Sequence, residues 1–346
     1  MNFKLNYKQY SDYINISQGV FSPLKSFVNK KQFNSILKNQ LLNKKFFPLP
    51  IFFGINKQQY FNIKDKKKLT LNYKNKNIVE VTNLNIYDID KELFGRKVFG
   101  KKYKKHPYFE IFNQQNYKFI SFKIYKKYIS KYLPRYFMSP NHFKKKTRNL
   151  KFLASFHTRN VPHNAHLWIH QLLSKRYGGL LIHPLIGQYK SGEYKDYYIM
   201  KSNIKASKLI NKNTVFCLPF FSYPRYGGPL EASLHAMVRK NYGCSHFWVG
   251  RDHAGYKNFF TKYQSQKHCK SIEKKLGIKI VSEKEPFYCK IHKIITNKCK
   301  SINCNKNKIL ISGTKIRDKL IKNKKIPNYL MIEDISKIIN SRSLID

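Results

Sequence analysis

Lys151-Phe152-Leu153-Ala154-Ser155-Phe156 is a short apolar run that passes directly into His157-Thr158-Arg159-Asn160-Val161-Pro162-His163-Asn164-Ala165-His166. The run reads as a strand of the buried type, the polar stretch as a loop, and residues 163–177 as a helix. Pro162 suits the first turn of that helix, and Asn160 is a candidate cap just before it. A strand end, a polar loop and a helix N-terminus in succession form the place where open α/β sheets bind ligands. Free backbone N–H groups and the helix dipole there favour an anion, typically phosphate. His163 and His166, three apart, share one face of the first two turns. Arg159 adds a guanidinium fork suited to a tetrahedral oxyanion.

Downstream, short apolar segments alternate with helical ones: residues 179–185, 244–249 as strands, 230–241 and 260–276 as helices. That alternation implies a parallel sheet with right-handed crossovers. Upstream, residues 1–138 read as short strands and turns, with apolar segments at 46–54, 78–82 and 117–124 and one helix around 29–43. Residues 134–150, with Pro134, Pro140 and three consecutive lysines, read as a connection between two domains.

The whole chain has 346 residues and a formal net charge of +50, from 68 Lys+Arg against 18 Asp+Glu. Apolar residues reach 42%, too many for a disordered basic tail. The longest apolar run, residues 46–55, is interrupted by Pro48 and Pro50 and is too short to span a membrane. No targeting segment is expected from the N-terminus. The basic residues comprise 58 Lys and only 10 Arg, spread over most of the chain. Dedicated nucleic-acid binders favour Arg and concentrate it on one face, so the excess reads as the Lys, Asn, Ile, Tyr and Phe of an AT-rich coding sequence. Six cysteines without a leader argue for a reducing compartment, bacterial cytoplasm or plastid stroma, rather than a disulfide framework.

Two more segments carry chemistry. Arg225-Tyr226-Gly227-Gly228-Pro229-Leu230-Glu231-Ala232 continues through His235 and Arg239-Lys240-Asn241-Tyr242-Gly243-Cys244 to Gly250-Arg251-Asp252-His253-Ala254-Gly255. Ile311-Ser312-Gly313-Thr314-Lys315-Ile316-Arg317 reads as a further oxyanion turn at a helix start. With the 157–166 loop, and with Gly19–Leu24 and Phe47–Ile51 near the N-terminus, these blocks resemble the sulfate adenylyltransferase (ATP sulfurylase) family in order and spacing. The resemblance implies an α/β fold: a PUA-like β domain over 1–138, then a Rossmann-like nucleotidyltransferase domain over 139–346 with a small zinc-ribbon-like insertion. It implies the reaction of ATP with sulfate to give adenosine 5′-phosphosulfate and pyrophosphate, with Mg2+ carried on the ATP phosphates.

By that resemblance Thr158, Arg159 and Asn160 are the catalytic triplet. His157, Thr158, Arg159, Asn160, His163, His166, Gly250, Arg251, Asp252, His253 and Pro286 hold ATP. His157, Arg159 and the backbone of Ala254 hold sulfate. Departures from the family pattern are His157 for a Gln, Leu230 for an Arg, and Tyr256-Lys257 after Gly255. Cys289, His292, Cys299 and Cys304 offer two close pairs of soft ligands, suited to structural tetrahedral zinc. Cys217, Cys244 and Cys269 read as buried apolar residues. The expected partners are ATP and sulfate in a soluble homo-oligomer, with no membrane, no specific nucleic acid and no adenylylsulfate kinase domain. The rival reading is a catalytically impaired basic relative that binds nucleic acid or protein.

Overall fold

The computed structural model describes residues 1–128, 133–187, 191–299 and 303–345. From the amino terminus run β1 (Asn2–Lys4), α1 (Tyr7–Ser17), β2 (Phe53–Ile55), β3 (Lys68–Tyr73), β4 (Lys76–Tyr87) and β5 (Lys118–Lys127). There follow β6 (Ala154–Thr158), α2 (Asn164–Tyr177), β7 (Leu180–Ile186), α3 (Asp196–Asn211), β8 (Val215–Cys217) and β9 (Phe220–Phe221). The remainder holds α4 (Gly228–Asn241), β10 (His246–Trp248), α5 (Gln264–Ser271), β11 (Lys279–Val281), β12 (Phe287–Cys289), β13 (Ile294–Thr296), β14 (Lys308–Leu310) and α6 (Gly313–Ile321), the other helices and a small two-stranded hairpin being left unlabelled. The first compact unit comprises Met1–Lys145, Ser222–Gly243 and Asp252–Ile278, and the second Lys146–Phe221, Cys244–Arg251 and Lys279–Asp346.

In the second unit the strands lie in the order β8-β7-β6-β10-β11, all parallel. The chain steps outward from β6 to β7 and β8, then returns to β10 and β11 on the other side. The reversal lies between β6 and β10, which makes their carboxyl ends a topological switch point. β7 (LLIHPLI) is buried along its whole length, as a strand covered on both faces must be. It also contains Pro184, which cannot donate to a ladder. The neighbour on that side is interrupted there: β8 pairs with residues 180–182 and β9 with 185–186.

Local differences from the sequence reading have physical causes. The first strand is Ala154–Thr158 rather than 151–156, because Phe152 faces outward, 45% exposed. His157 and Thr158 therefore belong to the strand. The following helix is capped by His163, whose side chain accepts from His166 N; Asn160 is engaged elsewhere. The expected helix 260–276 is two pieces, α5 and Glu273–Leu276. A small antiparallel sheet, ordered β13-β12-β14, carries part of the Cys/His group.

The first unit contains a five-stranded sheet ordered β1-β3-β4-β5-β2. Phe33, Phe52, Phe94, Phe112 and Phe119 form a ring cluster beside it. Helix α1 was not legible in its apolar pattern, since its buried face includes Gln9, Ser11, Asp12 and Asn15. It is instead marked by a capping box between Asn6 and Gln9. Among the described residues no helix is long and apolar enough to cross a membrane.

Asp12 explains why that helix buries polarity. Its carboxylate pairs with Arg225 and accepts from Tyr223 Oη at 2.8 Å, while Arg225 also donates to Ser222 Oγ at 3.2 Å. Asp12 and Arg225 are only 2% and 6% exposed. Removing one partner strands the other charge in a low-dielectric interior. Asp12→Ala should cost about 3–5 kcal/mol, read as a lower urea midpoint. Asp12→Leu combined with Arg225→Met should recover most of it, and a mild effect of Asp12→Ala alone would contradict this account.

Candidate active site

Strands β6 and β10 end side by side, with Phe247 paired to Ser155 and Trp248 to Phe156. Ser155 Oγ donates to His246 O at 2.9 Å and locks the pairing. Past it, His157 and Thr158 are still registered against His183 and Pro184 of β7. On the other strand Val249 N donates to Val281 O at 3.3 Å, and Gly250 and Arg251 follow. The structure thus brings residues 157–160 and 250–251 to neighbouring strand ends.

The loop after β6 is built by its own side chains. Thr158 Oγ1 accepts from Asn160 N at 3.0 Å, a tight local turn. Asn160 O accepts from Asn203 Nδ2 at 3.1 Å, and Asn160 Oδ1 accepts from Arg317 Nη1 at 3.0 Å. That last bond joins the 157–160 loop to the Ser-Gly-Thr turn. Ser312 caps α6 by accepting from Lys315 N. Gly313 packs closely on the Asn160–Arg317 bond: a Cβ there would lie 3.3 Å from Arg317 Nη1 and 3.4 Å from Asn160 Oδ1 and would press on both side chains. Arg159 Nη1 lies 3.6 Å from Glu193 Oε1, and at 42% side-chain exposure the pair orients the fork more than it stabilises the fold. Arg251 donates to Glu285 Oε2 at 2.8 Å, which ties it to the residue before Pro286.

His163 and His166 stack at 3.7 Å between ring centroids. Because His163 Nδ1 accepts from His166 N, its ring proton belongs on Nε2. Behind them lies His170, stacked on His166 at 6.4 Å, with neither ring nitrogen hydrogen-bonded. Burial pushes His163 down to about 4 and His170 to about 3, and holds His166 well below the usual imidazole range. All three are neutral near pH 7 and carry ring N–H donors but no positive charge.

Asp252, His253 and Ala254 lie in the first unit. Ala254 adopts φ +58°, a left-handed conformation costly for a residue with a Cβ. Its carbonyl accepts from Gly228 N at 3.0 Å. Gly228, itself at φ +51°, cannot carry a side chain because a Cβ would meet the Phe260 ring at 2.6 Å. Ser265 Oγ donates to His253 O at 2.8 Å.

In the second unit, Cys289, His292, Cys299 and Cys304 converge, their ligand atoms all within 4.8 Å of one another. Each sulfur is 3.4 Å from His292 Nδ1, and the Cys289 and Cys299 sulfurs are 3.7 Å apart. A zinc tetrahedron with bonds of about 2.3 Å to sulfur and about 2.0–2.1 Å to nitrogen has edges of about 3.5–3.8 Å. The donors fit that figure. The backbone N–H of His292 draws the Cys289 thiol down to about 6, toward the thiolate a metal requires.

Sequence reasoning missed Glu193, Asn203 and Glu285. The usable signal was scarcity: with 18 acidic residues in the chain, a carboxylate near a site arginine is rarely idle. Cys244 and Cys269 are buried as expected, whereas Cys217 is half-buried.

Residues 134–342 match the family model described as ATP-sulfurylase, and residues 1–124 match that of the PUA-like domain. The chain belongs to the ATP-sulfurylase family. It is an enzyme of the nucleotidyltransferase class. A sulfate adenylyltransferase of Pyrococcus abyssi is 32% identical, the alignment covering 95% of this chain and 87% of that one. One from Ignicoccus hospitalis is 30% identical over 96% and 88%, and one from Chloroflexus aurantiacus 27% over 98% and 90%. Among solved structures, a hexameric APS kinase from Thiobacillus denitrificans has the same fold with a TM-score of 0.74 at 14% identity. The match covers 97% of this sulfurylase-family chain and 62% of that longer one.

The buried histidine stack makes stability pH-dependent in a definite direction. Imidazoles titrate near 6.5 when unfolded, and His170 near 3 when folded. Between those values the unfolded chain binds more protons, so stability is lost as pH falls below about 6.5. His170→Leu should flatten unfolding free energy against pH by up to about 1.4 kcal/mol per unit between about pH 4 and 6. An unchanged slope would contradict a buried neutral His170.

Proposed function

We propose that this chain is a sulfate adenylyltransferase that joins sulfate to the α-phosphorus of ATP and releases pyrophosphate, in sulfate assimilation or in reverse in sulfur oxidation. The observation that carries the proposal is the Asn160–Arg317 bond, which draws two of the family's motif segments into one polar assembly at the switch point. Sulfate is fully ionised at neutral pH and needs no base. The task is to hold two repelling anions in line and to stabilise charge on the equatorial α-oxygens and the departing pyrophosphate. An array of arginine, asparagine, histidine and backbone N–H groups suits that task, and no nucleophile–base pair is required.

In this reading Arg159 spans sulfate and the α-phosphate, with Thr158 and Asn160 fixing its loop. His163 and His166 donate to the triphosphate, and Gly250, Arg251, Asp252, His253 and Pro286 hold the nucleotide. His157 and the backbone N–H of Ala254 complete the sulfate contacts. Magnesium bound to the ATP phosphates neutralises part of their charge. We further read Cys289, His292, Cys299 and Cys304 as a structural zinc site, since four protein donors leave no open position. The functional division falls at residue 138, the physiological form is a homo-oligomer, and the free cysteines suit a reducing cytoplasm or stroma.

Purified protein given ATP and sulfate should form adenosine 5′-phosphosulfate. Arg159→Lys keeps the charge but loses the fork, and should lower turnover by an amount worth roughly 2–4 kcal/mol; unchanged turnover would remove Arg159 from the mechanism. Elemental analysis of protein prepared without chelator should find about one zinc per chain, lost in Cys299→Ser together with thermal stability. Zinc-free protein of full stability would overturn the metal assignment.

A further inference from the structure

The geometry points to Glu231 and His235 as positioning residues that hold His253 in one tautomer and one orientation, a role that rests on the nucleotide-holding function proposed for His253. Glu231 and His235 are four apart on α4 and face the same way. They are 1% and 3% exposed. A buried carboxylate demands partners, and Glu231 has two from the backbone: Arg225 N donates to Oε1 at 2.8 Å and Gly227 N to Oε2 at 3.0 Å. Those bonds fix the carboxylate in place. Its Oε1 lies 3.7 Å from His235 Nε2. On the far side of the ring, His235 Nδ1 meets His253 Nε2 at 3.0 Å.

The proton count follows from charge. A carboxylate facing Nε2 of His235 favours the proton on that nitrogen, which leaves the lone pair on Nδ1. A 3.0 Å contact between two ring nitrogens needs one hydrogen between them. With Nδ1 of His235 as acceptor, Nε2 of His253 is the donor. Neutral His253 is thereby set as the Nε2–H tautomer, with Nδ1 as its basic nitrogen.

The backbone is held just as firmly. Ser265 Oγ binds His253 O, and Gly228 N at the start of α4 binds Ala254 O. Helix α4 therefore fixes both the main chain and the ring of the 252–255 turn. The arrangement has the form of the carboxylate–histidine pairs that orient histidine ligands, here with a second imidazole in the position of the oriented group.

The test combines spectroscopy with kinetics on the full-length protein. With 15N-labelled histidine, the ring resonances of His253, assigned by their loss in His253→Gln, should show the Nε2–H tautomer in the wild type. His235→Leu should release that preference and lower kcat/KM for ATP roughly ten- to a hundredfold, the cost usual for losing an orienting partner. His235→Asn, which can present an acceptor near the position of Nδ1, should restore most of both. Wild-type His253 in the Nδ1–H tautomer would overturn the inference without any variant. So would His235→Leu with native resonances and native rates. An inactive wild type with the expected tautomer would instead remove the proposed function and leave the positioning geometry standing.

Discussion

The parallel pairing of β6 with β10 is the constraint on which the rest depends. It puts the residues after Phe156 and after Trp248 at neighbouring carboxyl ends, at the point where the crossovers part. Such a place supplies anion-binding N–H groups before any side chain is chosen. Side chains then add what backbone cannot: the forks of Arg159, Arg251 and Arg317, each held by an acceptor, respectively Glu193, Glu285 and Asn160. In a chain with net charge +50, cations are abundant and holding them still is the scarce function.

That view separates the two basic residues. Among the described residues no lysine is buried, whereas Arg225 and Arg239 are. Arg225 and Arg317 each engage partners through both terminal nitrogens of the guanidinium, and Arg159, Arg239 and Arg251 each place one of theirs on an oxygen acceptor. A lysine ammonium cannot reproduce that fork. The lysine excess is a property of the surface, and it carries little information about the chemistry.

The α/β class, a buried strand overlapping Ala154–Thr158, and helix starts near His163 and Ser312 were legible because period and glycine turns are local signals, whereas the strand's bounds and the cap, read as 151–156 and Asn160, were not. The chain reversal between β6 and β10 was not, since strand order is a long-range property with no mark on either strand. Helix α1 escaped because its inner face is polar, satisfied by Arg225 and Tyr223 from more than 200 residues away. The Glu231–His235–His253 chain escaped for a related reason. Glu231 and His235 could be read as an i,i+4 pair, but nothing local says that His253 closes the series. The Cys/His group was legible from spacing alone, and the short antiparallel sheet shows how the spacing becomes a cluster.

At the centre is the claim that the polar assembly at the switch point aligns two anions and forms no covalent bond with either. Exchange of labelled pyrophosphate into ATP tests it most directly. If sulfate itself attacks the α-phosphorus, exchange requires sulfate and stops without it. Label entering ATP in the absence of sulfate would mean that the enzyme first takes the adenylyl group onto one of its own side chains, contrary to this account.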